Sequence, residues 1–232
     1  MFEAVLGNEK PLVVQVADRI IEMITGENLV IGEKLPNEFE LAEEFNVGRG
    51  TVREAVKLLV SRNILVIQRG KGTFVSSSPG LLSDPLGLAF YQDKYKLALD
   101  LIEIRSILEP EIAASAAKNA TQEEINKMWK ICDEIEHCEA AHESYIHHDI
   151  ELHKCIAQST RNLVMPNLIP IIAAGIELFN AFPYEVERLD ALKVHRDLID
   201  AIQAHDENKA RLAMQKHLSY NKRSLNVLHG KF

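Results

Sequence analysis

Asp149 and His153 are four residues apart, the spacing that puts two side chains on one face of a helix. Tyr145, Leu152 and Ile156 share that face, which turns both polar groups inward. His195 falls on a stripe with Leu192, Ile199 and Ile202, and His217 on one with Ala210, Met214 and Tyr220. A polar group buried without a partner costs on the order of 2 kcal/mol or more, so each of the four needs one. Two arrangements meet that need. Each can be an ordinary hydrogen-bonded core residue, and with nine histidines in the chain, chance placements on apolar stripes are common. Alternatively, all four converge on one divalent cation. Three neutral imidazoles and one carboxylate suit zinc, with nickel or manganese as alternatives, and such a site keeps a net positive charge that can accept a carboxylate. His137, His142, His147 and His148 read as solvent-facing.

A second constellation lies near the N-terminus. Arg49, Thr51 and Arg53 occupy the first turn of a helix whose apolar stripe is Val52, Ala55, Val56 and Leu59. An arginine there can pair with guanine through O6 and N7, a threonine can reach a phosphate or a thymine methyl, and the helix N-terminus favours phosphate. Arg69 and Lys71 flank Gly70 in a turn that Gly72 closes, placing charge where the chain can approach a nucleic-acid backbone. Between Phe45 and Val75 stand six Lys/Arg (Arg49, Arg53, Lys57, Arg62, Arg69, Lys71) and one acid, Glu54, inside a protein of net charge −8. A small basic footprint on an acidic body suits a DNA reader rather than a nucleic-acid coat.

The elements that must position these groups follow from local pattern. Leu12, Val13, Val16, Ala17, Ile20 and Ile24 are spaced for a first helix ending at Gly26. Asn37 with Glu40 forms a capping box for a second, and the turn Phe45–Gly48 leads to a third from about Gly50 to Ser61. Asn63 suits the left-handed residue that ends a helix. Ile64–Gln68 and Thr73–Val75 read as strands of a hairpin. Ser76–Gly80 reads as a linker. From about Tyr91 to Leu228 only helical periodicity is found. Breaks are expected near Pro110, at 119–121, 139–143 and 160–162, at Phe182-Pro183 and at His205-Asp206, giving six or so bundled helices. The predicted fold is mainly α: a winged helix-turn-helix of three helices and a β-hairpin wing at 1–75, a linker at 76–90, and an all-α helical bundle at 91–232.

With 232 residues and 47% hydrophobic content the chain can bury two cores. Cys132, Cys138 and Cys155 form no CxxC pair, so free thiols in a reducing compartment are expected. The segment MFEAVLGNEK has no basic region followed by an apolar stretch, and the apolar run Leu163–Phe179 is interrupted by Pro166, Asn167, Pro170 and Glu177. Neither a signal peptide nor a membrane span is expected, which implies a cytoplasmic protein.

Leu35-Pro36-x-Glu38, Val47-x-Arg49-x-x-Val52-Arg53-Glu54-Ala55 and Gly70-x-Gly72-Thr73-Phe74-Val75 together resemble the GntR transcription regulators. The resemblance implies that Arg49, Thr51 and Arg53 contact operator DNA, while the wing around Gly70 enters the adjacent minor groove. Two positions depart from the family pattern: Gly48 replaces a usual Ser or Thr, and Phe39 a frequent DNA-contacting Arg. The later motifs Asp100-Leu101-x-Glu103-x-Arg105, Leu108-Glu109-Pro110, Asp149-x-x-x-His153, Asn162, His195-x-x-x-x-x-Ala201-Ile202 and Ala210-x-x-x-Met214-x-x-His217 resemble the FCD domain of the FadR subfamily. That resemblance implies a metal held by Asp149, His153, His195 and His217, and a small organic-acid or sugar-acid effector. Arg105 would clamp its carboxylate and Asn221, four residues after His217, would donate to its hydroxyls, while Arg223 points elsewhere. A homodimeric, metabolite-responsive repressor on a palindromic operator is the leading expectation, and not an enzyme. Its rivals are a regulator in which the metal ion is itself the signal, and a metal-dependent hydrolase with an accessory DNA-binding domain. The hydrolase lacks a general base, because Glu151 lies two residues from Asp149 and points away, and no nucleophile elbow or phosphate loop is present.

Overall fold

The computed structural model of the protein describes residues 10–26, 29–82, 84–169 and 188–229. Two compact units divide the chain, Met1–Pro85 and Leu86–Phe232. The expected break at Phe182-Pro183, part of the run Leu163–Phe179, and nearly all of the N-terminal segment read for a leader lie outside the described residues.

In the first unit, α1 (Leu12–Gly26) turns Val16, Ala17 and Ile20 into the core. Helix α2 (Glu38–Glu44) starts at Asn37, whose side chain accepts from the N–H of Phe39 and Glu40 while Glu40 accepts from Asn37 N at 2.7 Å. Helix α3 (Arg49–Ser61) buries Val52, Ala55, Val56 and Leu59, the stripe expected from spacing. Val52, Val56 and Leu59 each contribute about 1.5–3 kcal/mol on burial, which anchors the helix. Asn63 takes the left-handed conformation at φ 54°. Strands β1 (Leu65–Gln68) and β2 (Gly72–Val75) pair antiparallel from Leu65↔Val75 to Gln68↔Gly72.

Two features go beyond the sequence reading. Residues 32–35 line up against β2, with Gly32 N and Leu35 N donating to Val75 O and Thr73 O and Lys34 bridged to Phe74. The serine-rich stretch after β2 is also tied down. Ser76 is buried and donates to Asn63 Oδ1 at 3.0 Å, while Asn63 Nδ2 donates to the carbonyls of Ser78 (3.0 Å) and Leu81 (2.6 Å).

Among its described residues the regular elements of the second unit are all helical: α4 (Lys94–Asn119), α5 (Gln122–Ala140), α6 (Ile146–Gln158), a helical stretch at 165–169, α7 (Arg188–Gln203) and α8 (Glu207–His229). A short 3-10 turn, Leu88–Phe90, precedes them. Helix α4 packs along α8, α7 lies against α5 and α8, and α6 against α4 and α5. The core runs from Ile112 through Met128, Leu152 and Ile199 to Leu218. Breaks fall as expected at 119–121, where Thr121 and Glu124 form a capping box, after Ala140, after Gln158 and around His205-Asp206.

The break expected near Pro110 does not occur, for α4 continues through it. Proline removes one backbone hydrogen bond and crowds the carbonyl four residues back, about 3 kcal/mol in a free helix. Here Ile102, Ile112, Ala113 and Ala116 are buried on both sides of it, and the Arg105–Glu109 pair spans the turn before it, so tertiary packing outweighs the local defect. Among the described residues no helix is long and apolar enough to cross a membrane.

Candidate functional site

Helix α6 carries Asp149 and His153 one turn apart, α7 carries His195 and α8 carries His217; all four side chains are buried. Their neighbours Leu152, Ile156, Ile199, Ile202, Ala210 and Met214 are buried as well, while the side chain of Leu192 lies outside the described residues. His195 Nε2 lies 3.0 Å from Asp149 Oδ1, and His153 Nε2 lies 3.7 Å from the same oxygen and 3.2 Å from His217 Nε2. The rings of His195 and His217 are 4.7 Å apart. Donor atoms of Asp149, His153 and His217 all fall within 4.8 Å of one another.

These donors suit a cation. Metal–ligand bonds of about 2.1 Å put neighbouring ligand atoms about 3.0 Å apart in octahedral and about 3.4 Å apart in tetrahedral geometry. His195 turns Nε2 to Asp149, and its Nδ1 is buried with no hydrogen-bond partner among the described residues. Burial, followed by repulsion from His195, lowers the pKa of His217 well below its usual value, which keeps its lone pair available. Burial would raise the Asp149 carboxyl, but His153, His195 and His217 outweigh it and hold the carboxylate ionised.

Helix α4 supplies the next layer. Glu109 accepts from His153 Nδ1 at 2.5 Å and from Arg105 Nε at 2.5 Å. The proton this places on Nδ1 leaves the Nε2 lone pair of His153 aimed at the cluster. Burial pushes Glu109 upward, yet the adjacent Arg105 and His153 bring its pKa down to about 2. Arg105 is fully buried, and its Nη2 lies 3.2 Å from His153 Nε2, at the edge of the cluster. Asn221 Nδ2 lies 3.3 Å from His217 Nε2. Arg223 is exposed and stacks on Tyr220 at 5.8 Å, away from the site. His137, His142 and His147 are exposed and His148 half-buried, so none joins it.

In the first unit, Arg49 opens α3 with its guanidinium 5.1 Å over the ring of Phe39. Thr51, two residues on, is half-buried, and Gly48 at the N-cap supplies no side-chain hydrogen bond. Arg53 is engaged by Glu38, which accepts from its Nε at 3.0 Å and Nη2 at 2.8 Å. At the wing tip Arg69 and Lys71 are exposed, and Gly70 takes φ 74°. Gly72 sits at φ 126°, a conformation that L side chains rarely adopt, and a Cβ there would also displace the flexible end of Lys34, whose Cε it would meet at 2.6 Å.

Residues 12–75 match the description "Bacterial regulatory proteins, gntR family", and residues 100–220 match the FCD domain. The chain belongs to the GntR family of regulators. A GntR protein of Streptococcus agalactiae of solved structure is 38% identical, with a TM-score of 0.81 over 91% of this chain and 100% of its own. The Uxu operon transcriptional regulator of Escherichia coli is 30% identical over 84% of this chain and 79% of its own length. The HTH-type transcriptional repressor NanR of an Enterobacter strain is 27% identical over 90% and 84%. Relatives and fold neighbours are transcriptional regulators, not enzymes, and this GntR protein is a DNA-binding regulator whose FCD domain holds a His/Asp cluster able to accept a metal.

Three residues of this GntR chain escaped the sequence reading as site members. Glu109 was visible only as part of a motif, although Arg105-x-x-x-Glu109 is an i,i+4 pair. Glu38 was visible only within the Leu35-Pro36-x-Glu38 motif and Lys34 gave no signal, because what matters is their contact with Arg53 and with the wing across the fold. The Glu38 contact has a measurable consequence. Glu38→Ala releases Arg53 for phosphate, so affinity for non-specific DNA should rise and the slope of log K against log salt steepen by about 1 per chain. An unchanged slope in a salt titration by fluorescence anisotropy would show that Glu38 does not compete with DNA phosphate for Arg53.

Proposed function

We propose that the chain is a homodimeric, metabolite-responsive repressor that binds a palindromic operator and releases it when a small organic or sugar acid binds at a metal in the FCD domain. In this reading residues 1–75 read DNA through Arg49, Thr51, Arg53, Arg69, Gly70 and Lys71, residues 76–90 connect, and residues 91–232 sense the effector and dimerise in the cytoplasm. The observation that carries it is the convergence of Asp149, His153, His195 and His217 from three helices, with Arg105 at the rim. Zinc suits this donor set best. When bound, the ion supplies a Lewis-acid anchor for an effector carboxylate. Glu109 holds His153 in the ligating tautomer, Arg105 offers planar donors for the second carboxylate oxygen, and Asn221 donates to a hydroxyl. Because α4, α6, α7 and α8 all contribute, an effector that favours one packing of these helices shifts the equilibrium between two arrangements of the dimer. The word repressor in the name of NanR and the operon in that of the Uxu regulator support the assignment to operon control.

A thermal-shift panel of small organic and sugar acids, on metal-loaded and chelated protein, tests it. An effector at a hundred times its Kd stabilises by about 2.7 kcal/mol, roughly 5–10 °C for a chain this size, and the shift should vanish on chelation. His195→Ala should lose bound metal and the effector shift together. Metal stoichiometry unchanged in that variant would refute the four-residue site. A metal-dependent change in operator affinity without any acid would make the ion the signal.

A further inference from the structure

Phe39 is an unusual residue for its place: 49% exposed, in the first turn of α2 and against the first residue of α3. Single exposed apolar side chains are ordinary on protein surfaces, so exposure alone says little. Its neighbour changes that. The Arg49 guanidinium lies over the Phe39 ring at 5.1 Å and has no hydrogen bond or ion pair among the described residues, whereas Arg53 is committed to Glu38. This cation–π contact uses none of the guanidinium's N–H donors. Phe39 and Arg49 also line one shallow depression with Ala42, Glu43, Asn46, Val47 and Gly48.

We propose that Phe39 and Arg49 form a composite base-reading site, in which Arg49 pairs with a guanine and the Phe39 ring receives the 5-methyl group of an adjacent thymine in the major groove of double-stranded DNA. The inference rests on α3 being the reading helix. Guanine presents O6 and N7 to a planar donor fork, and thymine alone among the unmodified bases presents a methyl there. An apolar ring beside the fork therefore selects a guanine–thymine step. The same contact biases where the fork sits, which lowers the entropy lost when Arg49 docks.

Selection of tight binders from a randomised duplex library by the full-length protein gives the motif, and the same selection is run on Phe39→Ala and Arg49→Ala. The wild type should choose guanine beside thymine. Phe39→Ala should keep the guanine and lose the preference at the thymine. Replacing that thymine by deoxyuridine, which removes only the methyl, should weaken wild-type binding about fourfold per half-site and leave Phe39→Ala unchanged. Equal affinity of wild type for thymine and deoxyuridine, or a thymine preference that survives Phe39→Ala, overturns the methyl site. A motif untouched by Arg49→Ala overturns the reading helix beneath it, and the two failures are distinguishable. Loss of all binding by Phe39→Ala with unchanged melting would also count against a site confined to one base.

Discussion

Glu109→Gln should lower the melting temperature of the metal-free protein by about 10 °C and weaken metal binding by about 10–100-fold, two effects with separate causes. The first arises because Glu109 is the buried counter-charge of Arg105, whose side chain is fully out of water. Removing one member of a buried pair leaves an uncompensated charge, which typically destabilises by about 3–5 kcal/mol. The second arises because Glu109 takes the Nδ1 proton of His153 and thereby presents Nε2 to the cluster. A glutamine can offer its N–H in the flipped orientation and allows the other tautomer. The two effects separate in the double variant Arg105→Met/Glu109→Leu. Apolar groups of similar size should restore most of the stability, while metal affinity stays low. Calorimetric melting and a metal titration against a competing chelator provide the readouts. If the double variant binds metal as the wild type does, Glu109 has no positioning role.

The same contact predicts a pH dependence. The folded Glu109 carboxyl titrates at about 2 against 4.5 for the free group, so the stability it contributes is complete above about 4.5 and is lost as pH falls from there towards 2. The difference in melting temperature between wild type and Glu109→Gln should therefore shrink across that window. A difference that stays constant down to the acid limit of folding would mean that the ionised carboxylate is not what stabilises.

Arg49→Ala should reduce operator binding to near the level of non-specific DNA while fold and metal content remain unchanged. A bidentate arginine–guanine pair contributes about 1–3 kcal/mol of discrimination, and a dimer on a palindrome loses two, roughly 30-fold to 10⁴-fold in all. Arg49 is the natural bearer of that effect, because among the described residues its guanidinium is held only by the Phe39 ring, whereas Arg53 must first leave Glu38. The variant should cost little stability, since Arg49 is exposed and its helix is anchored by Val52, Ala55, Val56 and Leu59. Binding to operator and to scrambled duplex at several salt concentrations separates the two contributions. Retained preference for operator would remove Arg49 from the reading surface.

The order of elements in the first unit was legible because its signals are local. The Asn37–Glu40 box, the stripe of α3, and the left-handed Asn63 each depend on residues within one or two turns, and each appears where spacing puts it. Pro110 misled for the same reason. A helix interrupted in isolation is continuous here, since the packing that holds it comes from α8, about a hundred residues away.

The candidate metal site divides along the same line. Periodicity of 3.6 residues determines which side of its own helix Asp149, His153, His195 or His217 occupies, and the amino-acid types determine which cations the group could suit. Whether three helices turn those sides towards one point is settled by how α6, α7 and α8 cross, and that depends on side-chain volumes spread over the whole core. Tertiary structure alone brought His153 and His217 within 3.2 Å, placed Glu109 behind His153, and set Arg105 at the rim rather than on the surface. It likewise gave Arg53 to Glu38 and left Arg49 on Phe39. Local pattern is written in neighbouring residues, whereas convergence is a property of packed surfaces that share no sequence window.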